Sequence, residues 1–149
     1  MRVAILSETD KVESRVAATP ETVKKYIGLG ADVVVQAGAG VEAGVPDAEY
    51  EAAGAVVVAT AMEAVKDADI VLKVRRPDAG ELVGYKPGAL LIGIMDPYGQ
   101  DAALKALAGA QVSAFSMELM PRITRAQVMD VLSSQANLAG YRAVVDATG

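Results

Sequence analysis

Between Arg122 and Tyr141 the chain places Gln127, Asp130, Ser134, Asn137 and Tyr141 at alternating spacings of three and four residues. At about 100° per residue, one helix gathers these on one side with Ser133 at its edge, and Val128, Met129, Leu132, Ala136 and Ala139 on another. Solvated helix faces usually carry Glu and Lys. This stripe carries short amides, hydroxyls and one carboxylate, most of them poor helix formers. Such groups suit hydrogen bonding to a ligand or a partner, and Arg122 adds a cation just ahead of them. The competing reading is a helix packed against another domain.

Two further candidates lie at strand ends. Glu8 and Arg15 fall in S-E-T-D-K-V-E-S-R-V-A-A-T-P, the segment after a first apolar run. In α/β folds that loop lies at the carboxyl edge of the sheet, where ligands bind. Arg15 has the fork geometry to hold a carboxylate or phosphate, and a salt bridge with Glu8 or Glu13 would use it equally well. Lys73 ends the run I-V-L-K at the same edge. Burying its charge is costly without a partner. It either joins Arg15 in an anion site or snorkels past the strand end. Gly38-Ala39-Gly40-Val41-Glu42-Ala43 matches G-x-G-x-x-A, the letters of a dinucleotide loop. That mechanism needs a helix opening on the spot, whose first amides hold a pyrophosphate. Gly44, Val45 and Pro46 break such a helix, and no suitable strand-end acid follows about 20 residues on. The segment reads as a tight loop.

Composition narrows the chemistry. The chain has 149 residues, no histidine and no cysteine. Thiolate catalysis, disulfides and thiolate metal sites are excluded. The usual metal ligand and general base near neutral pH is also missing. A net charge of −5, with no basic cluster larger than Arg75-Arg76, argues against nucleic acid. Apolar residues make up 52%, enough for one domain with a core rather than a disordered chain. The Met-Arg start leads into a strand pattern rather than a signal peptide. No apolar run approaches the roughly 18 residues of a bilayer span. A cytoplasmic domain is the expectation.

The elements that must position these residues alternate along the chain. Strands are expected at 2–6, 32–36, 55–59, 69–74, 88–95 and 111–115, as short apolar runs. Thr19-Pro20-Glu21 opens a helix as N-cap, N1 proline and first-turn acid. Asp47 caps a short second helix, and Thr60 with Glu63 forms a capping box for a third. A helix is expected at 101–108, and Thr124 with Gln127 is expected to open the long last one. Strand–helix alternation predicts a doubly wound, mostly parallel sheet with helices on both faces, of Rossmann or flavodoxin type. Residues 1–123 are expected to form the α/β domain, and 124–149 a long helix that packs on it or links to an absent domain.

R-V-A-I-L-S-E, E-S-R-V-A-A-T-P and Q-A-G-A-G resemble the N-terminal domain shared by three families: alanine dehydrogenases, lysine-forming saccharopine dehydrogenases and the alpha subunits of proton-translocating nicotinamide nucleotide transhydrogenases. The stretch from Met117 to Val144 is very similar to the transhydrogenase branch. That resemblance implies hydride transfer between NAD(H) and NADP(H), with the membrane coupling supplied by partners. Arg122 would be a positioning cation for the nicotinamide half of NAD(H). Gln127 would hold the nicotinamide ribose or the facing NADP(H)-binding component. Asp130 and Ser133 would bond the ring carboxamide or its ribose. Gln127 and Asp130 are the residues it places nearest the chemistry. It further implies a membrane-spanning component, a homodimer of the full-length subunit, and a peripheral place on the inner face of a membrane. In the family a Rossmann domain follows, so this chain alone is expected to be inactive and to bind NAD(H) weakly or not at all. Alanine dehydrogenases resemble the chain at Arg15 and Lys73, which there hold the substrate. They also use a histidine after the strand that here reads L-L-I-G-I-M, where this chain has Asp96-Pro97. The alternatives are an alanine-type dehydrogenase domain and a free-standing anion-binding module.

Overall fold

Six strands form one open, fully parallel sheet in the order β3-β2-β1-β4-β5-β6 in the computed structural model, which describes residues 1–148. They are β1 (Arg2–Ile5), β2 (Asp32–Gln36), β3 (Val56–Val58), β4 (Ile70–Arg75), β5 (Leu90–Ile94) and β6 (Ser113–Ser116). The inner strands are near-continuous Val, Ile and Leu runs because a parallel sheet is covered on both faces. Alternate residues feed separate cores. Val3, Ile5, Val33, Val35 and Leu72 pack with Val23 and Tyr50, under α1 (Pro20–Gly28) and α2 (Asp47–Ala52). Ala4, Val34, Val71 and Leu91 pack with Ala64, Val65 and Leu107, under α3 (Ala61–Val65) and α4 (Asp101–Gly109). The expected α/β architecture, with helices on both faces, is borne out.

The caps follow from local chemistry. Thr19 accepts from the Thr22 amide at 3.3 Å ahead of Pro20. Thr60 and Glu63 form the reciprocal box, at 3.2 and 3.0 Å. Asp47 does not cap α2: Pro46 holds that position, and the Asp47 carboxylate accepts from the Gly38 amide at 2.9 and 3.1 Å. The glycine segment is a turn followed by one short 3-10 turn, Val41–Ala43, as its helix-breaking residues require. A Cβ on Gly40 would stand 2.7 Å from the Val45 carbonyl oxygen and 2.8 Å from the Tyr50 ring. Gly40 therefore serves close packing, and Tyr50, fully buried, donates to the Ala18 carbonyl at 2.9 Å.

The last helix departs from the pattern. Residues Thr124–Met129 form a 3-10 turn, and Thr124 and Gln127 make no capping box. The helix proper, α5, is Val131–Thr148. Asp130 causes the break. Its backbone is extended (φ −77, ψ 94), and its Oδ1 accepts from the Leu132 and Ser133 amides at 3.0 Å each. Asp is among the strongest N-caps, so the helix starts after it and not at Thr124. The polar stripe is accordingly split: Gln127 sits in the 3-10 turn, Asp130 at the junction, and only Ser133 onward in α5. The apolar side is uncovered as well, with Val128 94% exposed and no residue of α5 buried.

Candidate functional site

The chain runs outward from β1 through β2 to β3, then returns to lay β4 on the other side of β1. At such a switch point the loops leaving the two central strands diverge and open a crevice at the carboxyl edge. Glu8 follows β1 there, Arg15 lies in the segment leading to α1, and Lys73 and Arg75 end β4.

Each charge is held by a specific partner. The β4–β5 ladder shifts register between Leu72 and Arg75. At this end of β4 Glu8 accepts from the Val74 amide at 2.7 Å and the Arg75 amide at 3.2 Å. Burial pushes its carboxyl pKa up, against the Val74 hydrogen bond and the Lys73 charge. The Lys73 side chain is 1% exposed, with Nζ 2.5 Å from Glu81 Oε1 and 3.9 Å from Glu8 Oε2. A buried ammonium needs such pairing, and Glu81 supplies it from the turn after β4. Glu81 Oε2 also accepts from the Asp78 amide and the Thr9 hydroxyl, which pins that turn over the edge. Burial, then the nearby carboxylates of Glu81 and Glu8, hold the Tyr85 phenol far above its usual range, so it stays protonated.

Arg15 is gripped along one edge. Its Nε and Nη2 each donate to Glu13 at 2.6 Å, and Arg75 Nε donates to the same carboxylate at 3.0 Å. The Arg15 hydrogen bonds are the main cause of a Glu13 pKa near 2. With that edge occupied, Nη1 is turned toward α5 and donates to Gln135 Oε1 at 3.4 Å. Between them lies a cleft of about 350 Å³, walled by Tyr26, Leu72, Ile92, Val131 and Ser134 and reached by Arg15 and Lys73.

The expected nicotinamide-facing residues group differently. Asp130 and Ser133 meet directly, the Ser133 hydroxyl donating to Asp130 Oδ2 at 2.6 Å. That bond leads the causes holding the Asp130 carboxyl below its usual range, and the Arg122 charge adds to them. Both residues therefore have a structural task in starting α5, which their spacing alone did not reveal. Gln127 is exposed, and its side chain has no hydrogen bond among the described residues. Arg122 is also exposed, and neither it nor Asp130 lines the cleft. Arg15 and Lys73 share the cleft, but each is paired with a carboxylate: Arg15 with Glu13, which Arg75 also engages, and Lys73 with Glu81. Glu81 and Gln135 escaped the sequence reading, because no periodic signal links them to Lys73 or Arg15. Among the described residues, no group of three or more acids could hold a metal, and no helix is long and apolar enough to cross a membrane.

A doubly wound parallel sheet with a crevice at its switch point defines an α/β domain of Rossmann type. The chain belongs to the alanine dehydrogenase/PNT N-terminal domain family, whose model matches residues 4–139. It is 47% identical, over 98% of its length, to an NAD(P) transhydrogenase alpha-subunit chain of Rhodospirillum rubrum, of which it covers 39%. The crystal structure of transhydrogenase from Sinorhizobium meliloti superposes with a TM-score of 0.94 at 60% identity, over 99% of this chain and 44% of that one. An L-alanine dehydrogenase structure superposes with a TM-score of 0.75 at 27% identity, over 79% and 32%. The chain spans about two fifths of the length of the curated transhydrogenase relative it matches. The resemblance to transhydrogenase alpha subunits, expected from residues 117–144, is borne out.

Proposed function

We propose that this chain supplies a portion of the NAD(H) side of a transhydrogenase, which moves hydride between NAD(H) and NADP(H). Membrane partners would couple the transfer to proton movement and hold the domain at the inner face of the membrane. The observation that carries the reading is the match of nearly the whole chain to transhydrogenase alpha subunits at 47% identity. The donor set supports it. A nicotinamide carboxamide offers two N–H donors and one carbonyl acceptor. Asp130 Oδ2 accepts one bond from Ser133 and keeps a lone pair for another donor. The Arg122 guanidinium and the Gln127 amide lie exposed nearby in sequence, as donors to a carbonyl or a ribose hydroxyl. Direct hydride transfer needs no protein acid or base. The work left to these residues is orientation and exclusion of water, which agrees with a chain that has no histidine.

Two observations weigh against the alternatives. Arg15 and Lys73 are each paired with an internal carboxylate, which offsets the charge a dehydrogenase or an anion module would turn on a substrate carboxylate. The end of β5 carries Met95 and Asp96, where an alanine-type enzyme would need its histidine.

The test is Asp130→Asn in the full-length protein. Asn is as good an N-cap as Asp, so α5 keeps its start while the site loses a charge. Transhydrogenation should slow by about tenfold, the worth of roughly one charge-assisted hydrogen bond. Unchanged transhydrogenation would remove Asp130 from the site.

A further inference from the structure

Residues 117–130 carry Arg122, Gln127 and Asp130, and are mostly exposed, with Ala126 buried. Their backbone hydrogen bonds beyond the β5–β6 ladder are short-range: Met120 to Met117, Ile123 to Pro121, Ala126 to Ile123 and Asp130 to Gln127. Among the described residues, the Asp130 side chain bonds only to Leu132 and Ser133. Past the ladder, one side chain in the segment, among the described residues, accepts hydrogen bonds from the edge of the sheet. Glu118, half-buried in the turn after β6, accepts from the Met95 amide at 3.1 Å and from the Asp96 amide. Burial pushes its carboxyl up, but its own backbone amide, the Ser116 hydroxyl and then the Asp96 and Met95 amides hold it below the usual range, so it is ionised.

The same two residues are gripped from behind. Arg76, just past β4, donates through Nη1 to the carbonyl oxygens of Met95 and Asp96, the latter at 2.8 Å. Asp96 has φ +43, a left-handed conformation costly for a non-glycine residue and kept only where its surroundings impose it. A charge on each side of one strained turn imposes it here. The result is a cross-tie along the carboxyl edge, from β4 through the end of β5 to the segment after β6.

We infer that Glu118 is a positioning residue: it fixes the Arg122–Asp130 segment against the sheet through the Met95–Asp96 turn, with Arg76 holding that turn from the other side. The inference rests on the proposed role of the segment toward nicotinamide. A misplacement of about 1 Å can slow an oriented transfer by around a hundredfold while leaving much of the binding intact.

The experiment uses the full-length protein and the variants Glu118→Ala, Glu118→Gln and Arg76→Ala, with two readouts. Amide hydrogen exchange over 117–130 should speed up about tenfold or more in Glu118→Ala and Arg76→Ala. In transhydrogenation, kcat should fall about tenfold or more, while KM for NADH changes by less than about threefold. Glu118→Gln keeps one acceptor oxygen and should fall between. A folded Glu118→Ala protein with unchanged exchange overturns the inference, as does a loss confined to KM. If Glu118→Ala does not fold, Glu118→Gln decides on the same two readouts. Faster exchange with hydride transfer unaltered in both Glu118→Ala and Asp130→Asn would sink the proposed function and leave the tie standing. A slow Asp130→Asn beside Glu118 variants that neither loosen nor slow would do the reverse.

Discussion

Replacing Glu13 by glutamine removes the charge that aligns Arg15. The Glu13 side chain is 4% exposed and receives two hydrogen bonds from Arg15 at 2.6 Å and one from Arg75 at 3.0 Å. Its pKa of about 2 lies well under the ~4.3 of an unfolded glutamate. For a fully shielded group that gap corresponds to about 3 kcal/mol. Arg15 and Arg75 are 38% and 48% exposed, so water screens the pairs and about 1–2 kcal/mol is the better figure. Because the folded-state value is depressed, this stability is complete above the unfolded value of ~4.3 and is lost as pH falls through about 2. In a chain of this size the variant should melt roughly 2–8 °C lower near neutrality. Thermal unfolding followed by circular dichroism, from about pH 7 down to about pH 3, reads the difference directly. The gap between wild type and Glu13→Gln should be constant down to about pH 5 and narrow steadily below it. A variant as stable as wild type at neutrality, or a gap that does not narrow in acid, would refute the reasoning.

Lys73→Met should cost about 3–5 kcal/mol in denaturant unfolding, because it strands Glu81 and Glu8 at the edge without their cation. Lys73→Met with Glu81→Gln should recover some of that, and a double variant no more stable than the single one would show that the charge pairing does not matter. Tyr50→Phe should cost about 1–3 kcal/mol, since it leaves the Ala18 carbonyl without its buried donor. A melting temperature unchanged from wild type would mean that water takes the hydroxyl's place.

The fold was legible where the signals are local. Apolar runs marked every strand, and Thr19-Pro20 and the Thr60–Glu63 box act within one helical turn. The misread box at Thr124 shows the limit of such signals. The helix takes its cap from Asp130, six residues further on, which the Thr124–Gln127 spacing did not reveal. At the site, Arg15 and Lys73 were visible because cations at apolar strand ends need partners. Which partners was not visible. Glu13 lies two residues from Arg15, but Glu81 reaches Lys73 from a turn, and Glu118 meets Met95 and Asp96 from the next strand over. Chain folding, not periodicity, creates those meetings. The G-x-G-x-x-A letters misled least, since Gly44 and Pro46 declare locally that no helix follows.

α5 has a consequence in helix–coil terms. It has 18 residues, none of them buried, and Leu138, Tyr141 and Val144 are 62%, 74% and 64% exposed. Its own resources are the Asp130 cap, worth ~1 kcal/mol, and the Arg142–Asp146 pair, worth a few tenths. Gly140 offsets about as much as the cap contributes. A helix with that balance draws little stability from within itself, as isolated helices of this length are marginal in water. Its winding is then coupled to whatever covers its apolar side. Any surface that covers Leu138 and Val144 winds the helix as it binds, and anything that unwinds the helix weakens that surface's hold by the same free energy.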